Sequence, residues 1–114
     1  MPEMVRGSIW WIDLNPVRGR EQAGRRPGLI VASNAYLLRA DTLTITVPIT
    51  SIDRNWPNHI VLTGSEVLLD KPSFAMTEQP RTISRSRVFG YLGQVDKETM
   101  SRVDLWLRDF LSLR

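Results

Sequence analysis

The stretch Gly19–Val31, with the sequence GREQAGRRPGLIV, decides how this chain places its charged residues on its fold. It joins a polar turn to an apolar run through two adjacent arginines and a proline. Because proline fixes its own φ and disfavours the helical region for the residue before it, we predict that Arg25 and Arg26 end an extended loop and that a strand begins directly behind them. Guanidinium groups on such a rigid support match the geometry of a phosphate, so the stretch predicts a site for an anionic substrate.

The composition limits the class of protein. A length of 114 residues predicts a single domain, 1–114, and 42% hydrophobic residues with four tryptophans exclude a disordered chain. No apolar stretch approaches the ~20 residues that a bilayer crossing needs, and the N-terminus lacks the pattern of a secretion signal. We therefore expect a cytoplasmic protein with no membrane contact.

Cysteine is absent and His59 is the only histidine. The lack of cysteine excludes disulfides, thiolate metal sites and a thiol nucleophile. A single imidazole argues against a zinc site with several histidines and against catalysis of the Ser-His-Asp type. We expect neither a metal nor another cofactor.

Positive charge is concentrated in two segments, although the net charge is only +3. The range 7–26 holds four arginines against two carboxylates, and the range 81–87 holds three arginines and no acid. Acidic residues collect instead in the last 20 or so residues. A fold that brings the two arginine-rich segments together would have a basic face suited to nucleic acid.

Short extended segments dominate the chain up to residue 95. Alternation, β-branched residues and flanking turn residues predict strands, at Ser8–Leu14, Gly28–Ala32, Thr42–Ile49, His59–Thr63, Ser73–Thr77 and Phe89–Val95. A turn of helix is predicted over Asn34–Arg39. The spacing of ~10 to 15 residues between turn signals is typical of a small antiparallel barrel or half-barrel.

The last segment predicts the one long helix. Asp96 suits an N-cap, and Glu98 lies in the first turn, where the helix dipole favours an acid. Apolar residues recur behind them at helical spacing, at Met100, Val103, Leu107, Phe110 and Leu111. We expect this stripe to pack on the sheet. The fold class is therefore α+β, with the sheet dominant and a C-terminal α-helix.

Several strings in the chain, in their order and spacing, resemble the MazF/PemK family of toxins. They are Arg6–Trp10, Asp13–Pro16, Gly19–Pro27, Thr46–Ser51 and Glu78–Ile83. The resemblance implies a small PemK/CcdB-like barrel that pairs into a homodimer. It also implies the family's activity, that of ribosome-independent endoribonucleases (mRNA interferases) from bacterial toxin–antitoxin modules.

The same resemblance implies a substrate and a reaction. Members of the family cut single-stranded RNA within short motifs by attack of the ribose 2′-hydroxyl. The products are a 2′,3′-cyclic phosphate and a 5′-hydroxyl, and the cuts inhibit translation and growth. Messenger, ribosomal and transfer RNA are all open as targets. A folded tail of the cognate antitoxin occupies the same basic groove in the family's inhibited complexes.

The family's catalytic arginine and threonine fall on Arg26 and Thr50. RNA contacts implied by the resemblance fall on Glu21, Gln22, Ser51, Glu78, Gln79 and Arg81, and Arg25 adds a second positive charge for the phosphate. Because a guanidinium is a poor general base, we expect Arg26 to stabilise charge on the phosphate, while Thr50 donates a hydrogen bond to a non-bridging oxygen. The general base is open between Glu21 and Glu78, each of which also suits an ion pair with an arginine.

Some residues carry two interpretations. Thr50 also fits a strand-end threonine that is satisfied by the backbone. Trp56 suits stacking on an unpaired base or filling a gap at a dimer contact. His59 lies outside the family motifs and is expected in a strand or loop. Pro80 lacks a ladder donor, which places the strand around Gln79 and Arg81 at a sheet edge or at a bulge.

Two other functions fit the same predicted fold. A toxin of this architecture can poison a protein such as DNA gyrase, without RNA chemistry. The chain could also be a nucleic-acid-binding barrel that does not cleave. Mapping of 5′-hydroxyl ends on a long RNA separates both from a ribonuclease.

Overall fold

One antiparallel sheet organises the molecule in the computed structural model, which describes residues 2–14 and 24–113. Its strands are β1 Ser8–Asp13, β2 Arg25–Ile30, β3 Leu43–Thr50, β4 His59–Val61, β5 Phe74–Met76, β6 Arg81–Ser84 and β7 Val88–Gln94. The helices are α1 Asn34–Arg39 and α2 Lys97–Phe110, and a short 3₁₀ turn at Arg85–Arg87 precedes β7.

The strand order is β4-β5-β3-β2-β1-β7, and β6 pairs with β3. β3 pairs with β2 and β6 along its first part and with β5 at its end. β4 and β7 stand at opposite ends of the path and do not pair with each other among the described residues. The sheet is thus an open half-barrel, which confirms the predicted sheet-dominated α+β class and selects the half-barrel over the closed form.

β1 is buried on both faces of the sheet, which explains its continuous apolar run. Ile9 belongs to a core cluster between the sheet and α2, which also contains Leu29, Val47 and Val103. Trp10 and Ile12 point to the other face, where a second cluster packs against α1. Since neighbouring residues of a strand alternate between faces, a strand between two cores must be apolar at successive positions.

The predicted capping of α2 is confirmed. The Asp96 carboxylate accepts a hydrogen bond from the Thr99 backbone N–H at 2.9 Å, and Glu98 lies in the first turn. Met100, Val103 and Leu107 pack on the first core as expected. The expectation is wrong for Phe110 and Leu111, which are 43% and 59% exposed, because the helix extends past the edge of that core.

The six predicted strands and the turn of helix at Asn34–Arg39 are present, with ends shifted by a few residues. The strand expected around Gln79 and Arg81 is β6, which begins after Pro80 and pairs only with β3 within the described residues. The arginine pair is inside β2 and not in a loop before it, since Arg25 and Arg26 pair with Asp13 and Ile12 of β1. No helix within the described ranges is long and apolar enough to cross a bilayer.

Candidate functional site

A groove opens where β2 and β3 stop pairing. Their ladder runs from Ile30 and Thr46 to Gly28 and Pro48. Continuing the register by two residues would set Arg26 opposite Thr50, but the ladder ends before that pair, and Thr50 pairs only with Phe74 of β5 on the other edge of β3. Because prolines lack the N–H that a ladder requires, Pro27 and Pro48 limit pairing at this point. The two strands therefore diverge, with Arg26 and Thr50 on either side of the gap.

The gap is part of a cavity of about 730 Å³, which we call the Arg26 groove. It brings together five of the residues predicted from the sequence: Arg25, Arg26, Thr50, Ser51 and Gln79. Arg54 also lines it and was not predicted. The only sequence signal for Arg54 was its place in a polar loop directly behind the Thr50-Ser51 pair.

An apolar pocket of about 310 Å³ adjoins the Arg26 groove. Ile12, Gly28 and Ile83 belong to its wall, and Arg26 and Gln79 line both cavities. Arg81 lines the pocket but not the groove. A charged groove beside an apolar pocket can hold an anionic group and a flat apolar one side by side.

The two adjacent arginines differ in their surroundings. The Arg25 guanidinium lies 4.5 Å from the centre of the Trp11 ring, in a cation–π contact that holds it against β1. The Arg26 side chain is exposed at the groove. Within residues 2–14 and 24–113, no carboxylate lies within ion-pair distance of Arg26.

The hydroxyl of Thr50 is oriented by the backbone. Its Oγ1 accepts a hydrogen bond from the Ile52 N–H at 3.1 Å. The backbone contact expected for a strand-end threonine is therefore present. Since this bond uses only the oxygen as an acceptor, the hydroxyl proton is still able to donate to a group in the groove.

Glu78 does not line the Arg26 groove or the apolar pocket. Its Oε1 accepts from Asn58 Nδ2 at 2.8 Å, and its Oε2 lies 3.1 Å from His59 Nε2 and 3.2 Å from Gln79 Nε2. Burial raises the pKa of Glu78, but hydrogen bonds from its own backbone N–H, His59 and Gln79 outweigh it and leave the pKa below its ordinary value. A lowered pKa makes this carboxylate a weaker base.

His59 is in β4, within the strand expected from the sequence. Its side chain is 3% exposed and lies beneath the Trp56 ring, with ring centres 4.8 Å apart. Trp56 itself is half exposed, and Arg54 lies 5.9 Å from its ring centre. His59 therefore supports the loop that carries Arg54 and does not reach the groove.

The second arginine-rich segment contributes only Arg81 to these cavities. Arg85 donates to the backbone carbonyls of Leu37 and Leu43, and Arg87 donates to that of Asp13. Among residues 2–14 and 24–113, the arginines of the basic face are Arg25, Arg26, Arg54 and Arg81. Glu21 and Gln22, two predicted RNA contacts, lie outside the described residues.

Comparisons with known proteins agree with this architecture. Residues 5–111 match the model of a family described as the PemK-like, MazF-like toxin of type II toxin-antitoxin systems. The chain belongs to this family. The family prediction made from the sequence motifs is therefore confirmed.

Two relatives of this MazF-like chain match nearly end to end. Endoribonuclease MazF9 of Mycobacterium tuberculosis is 34% identical, covering 96% of this chain and 98% of the relative. Endoribonuclease EndoA of Bacillus subtilis is 32% identical, with 95% and 94% covered. A solved mycobacterial endoribonuclease in complex with its cognate antitoxin has the same fold, with a TM-score of 0.80 at 24% identity and 98% of each chain covered.

No group of three or more His, Asp or Glu residues in the described part of the MazF-like chain is placed to hold a metal ion. The polar groups around the Arg26 groove are guanidiniums, hydroxyls and one amide. Such a set binds and stabilises negative charge through hydrogen bonds and cations.

Proposed function

We propose that this chain is an endoribonuclease toxin that cleaves single-stranded RNA within a short motif, leaving 2′,3′-cyclic phosphate and 5′-hydroxyl ends. The endoribonuclease names of MazF9 and EndoA, at more than 30% identity over almost the whole chain, support the activity. The observation on which the residue assignment depends is that Arg26 and Thr50 line one groove from two diverging strands.

The reaction requires the ribose 2′-oxygen to attack the adjacent phosphorus in line with the leaving 5′-oxygen. A protein accelerates it by holding that geometry and by stabilising the charge that develops on the phosphate oxygens. Arg26 supplies the positive charge and Thr50 donates a hydrogen bond to a non-bridging oxygen. The exposed guanidinium of Arg26 is also able to donate a proton to the leaving 5′-oxygen, which departs as the 5′-hydroxyl.

The flanking RNA is held by the other polar residues of the site. Arg25, Arg54 and Arg81 contact the backbone phosphates, and Ser51 and Gln79 contact the nucleotides next to the scissile bond. Glu21 and Gln22 are proposed as further RNA contacts. Since the hydrogen bonds of Glu78 weaken it as a base, Glu21 is the better candidate for accepting the 2′-hydroxyl proton.

We propose a homodimer, a cytoplasmic location and a cognate antitoxin that occupies the basic groove. The mycobacterial structure of an endoribonuclease with its cognate antitoxin supports such a partner on this fold. Messenger RNA is the proposed target, and its cleavage would stop translation and growth.

The experiment that tests the activity is the mapping of 5′-hydroxyl ends after incubating the purified protein with a long RNA. We expect discrete cuts within one recurring motif, blocked by the antitoxin. Arg26→Ala should lower the rate by about 10²- to 10³-fold, as removal of one charge-stabilising donor does. Arg108→Ala, which removes an exposed arginine of α2, is the matched control and should cut normally.

Three results would contradict the proposal. RNA that is bound but uncut would indicate a nucleic-acid-binding barrel. Growth inhibition with intact RNA would indicate a toxin directed at a protein such as gyrase. Full cleavage by Arg26→Ala would remove Arg26 from the mechanism.

A further inference from the structure

The Gln79 side chain lies where the Arg26 groove meets the apolar pocket, and its amide nitrogen is bonded within the protein. The Nε2 atom lies 3.2 Å from Glu78 Oε2 and 3.8 Å from Met76 Sδ. The backbone N–H of Gln79 donates to the Met76 carbonyl at 3.1 Å, which fixes the turn that carries the side chain. Both protons of the amide nitrogen therefore have acceptors within the protein.

The chemistry of Glu78 settles which way the Gln79 amide faces. An ionised carboxylate only accepts hydrogen bonds, so the group that faces it must be the nitrogen of the amide and not its oxygen. The Gln79 Oε1 atom has no hydrogen-bond partner within residues 2–14 and 24–113. It is the polar atom of this side chain that is left for a ligand, and it is an acceptor.

Glu78 is itself held by two side chains of the chain segment before and at the start of β4. Asn58 Nδ2 donates to Oε1, and His59 Nε2 bonds Oε2 from a position that is almost fully buried. The Thr77 hydroxyl donates to the Asn58 carbonyl at 2.6 Å, which ties the same two segments together. The carboxylate thus has a defined position before any ligand arrives.

We propose that Glu78 is a positioning residue that fixes the Gln79 amide, so that Gln79 Oε1 accepts a hydrogen bond from an N–H on the edge of an RNA base. This inference rests on the proposed function. It assigns to Glu78 a role in base selection through Gln79 and not a contact with the RNA. The ligand of Gln79 is a nucleobase edge with a donor, held beside the scissile phosphate at Arg26.

Glu78→Gln tests this arrangement because it retains size while replacing an acceptor. If its amide oxygen continues to accept from Asn58, its NH₂ faces the Gln79 NH₂, and the Gln79 amide must turn to offer its oxygen. The amide nitrogen would then face the ligand, so that the donor and acceptor roles at the groove are exchanged. Glu66→Gln makes the same change at an exposed glutamate outside both cavities and is the matched control.

The first measurement needs no RNA. In ¹⁵N-labelled protein, the side-chain amide resonances of Gln79 should shift in Glu78→Gln and should stay in place in Glu66→Gln. An unmoved Gln79 amide in a folded Glu78→Gln protein would overturn the proposal, whether or not the protein cleaves RNA. Failure of the wild type to cut RNA would instead overturn the proposed function, while the amide shift would still decide the position of Gln79.

The second measurement is a double-mutant cycle on an RNA that contains the mapped motif. Glu78→Gln and Gln79→Ala should each lower kcat/KM by about tenfold, chiefly through KM, as expected for loss of a hydrogen bond to a charged or buried partner. The double variant should lose little more than Gln79→Ala alone, since Glu78 acts through Gln79. If the reductions in kcat/KM from the two single substitutions are additive in the double variant, Glu78 contacts the RNA directly and the proposal is overturned.

The third measurement is the cut motif itself. Glu78→Gln should change or broaden the base preference at one position beside the cut, because the Gln79 amide now offers a donor there. Glu66→Gln should retain the wild-type motif. A purely structural role for Glu78 would lower stability without changing the motif, so an unchanged motif would also contradict the proposal.

Discussion

At the scale of single residues, the site depends on which hydrogen-bonding capacity is already used inside the protein. The Thr50 Oγ1 atom accepts a hydrogen bond from the Ile52 N–H, and its hydroxyl proton is still available to a ligand. Both carboxylate oxygens of Glu78 form hydrogen bonds with neighbouring side chains, those of Asn58 and His59. Two residues that look equally available in the sequence therefore differ, because one still has a donor to offer and the other has its acceptors occupied.

Thr50→Val should lower the cleavage rate by about tenfold or more, since it removes the hydroxyl that donates to the phosphate. The side chain stays nearly the same size, and the Ile52 N–H is close enough to solvent to find water. Thr42→Val, at an exposed threonine away from the groove, is the control for a general effect of the substitution. Single-turnover cleavage rates measure the difference, and normal turnover by Thr50→Val would leave Thr50 with its backbone role alone.

The lowered pKa of Glu78 predicts how stability depends on pH. A carboxyl whose pKa is lower in the folded state stabilises the fold above its unfolded pKa and loses that contribution as the pH falls through the folded pKa. Wild type should therefore melt at a higher temperature than Glu78→Gln at neutral pH, and the gap should narrow below the ordinary Glu value of 4.5. Thermal melts of both proteins over this pH range measure the difference in melting temperature. A difference that does not change with pH would contradict the prediction.

At the scale of elements, the site is a consequence of where β2 and β3 stop pairing. On one edge of β3 the pairing with β2 ends at Pro48, and on the other edge β6 is followed by β5, which pairs with Ile49 and Thr50. Gly28 is in the last position of β2 that pairs with β3, between Trp10 of β1 and Pro48 of β3, and lines the apolar pocket. A larger residue at this position would clash with Ile12, because a Cβ built on Gly28 lies 2.8 Å from Ile12 Cγ1.

Gly28→Ala should destabilise the protein by about 1–3 kcal/mol, the usual cost of overpacking a close contact. It should also weaken RNA cleavage, since Ile12, which lines the pocket, must change its position. In an Ile12→Ala background the extra methyl has room, so the cost of Gly28→Ala should shrink. Chemical denaturation of the wild type, the two single variants and the double variant measures the coupling free energy. If Gly28→Ala lowers stability equally in both backgrounds, the contact with Ile12 is ruled out.

At the scale of the whole molecule, a net charge of only +3 coexists with a basic groove. Four arginines, Arg25, Arg26, Arg54 and Arg81, line the Arg26 groove and the adjoining pocket, whereas the charges of α2 balance, with three carboxylates against three basic side chains. The groove can therefore attract RNA through local charge, without making the whole surface strongly basic.

RNA affinity should fall with rising salt, with a slope of log K against log salt of about −0.7 for each phosphate contacted. Arg25→Gln should reduce the slope by about one such contact, whereas Arg108→Gln on α2 should leave it unchanged. Fluorescence anisotropy of a short labelled RNA, in an Arg26→Ala background to prevent cleavage, gives both slopes. A wild-type slope near zero would show that the arginines do not contact the backbone.

Much of this architecture follows from local sequence alone. Alternating β-branched residues, prolines and the Asp96 cap act over a few residues, so the strands, the final helix and the sheet-dominated class could all be predicted. The family motifs identified Arg26 and Thr50, and the shared groove is consistent with their proposed roles. By contrast, the pairing of β6 with β3 and the partners of Glu78 involve residues that are distant in the chain, and no local pattern predicts such pairings.

The sequence by itself determined the family, the elements and the residue types available for chemistry. Only the tertiary structure decided that β2 and β3 diverge at Pro48, that Phe110 and Leu111 extend beyond the core, and that Asn58 and His59 hold Glu78 behind Gln79. The physical reason is range: propensity and capping act between neighbours in the chain, whereas burial and hydrogen bonding between side chains depend on which segments the fold brings together.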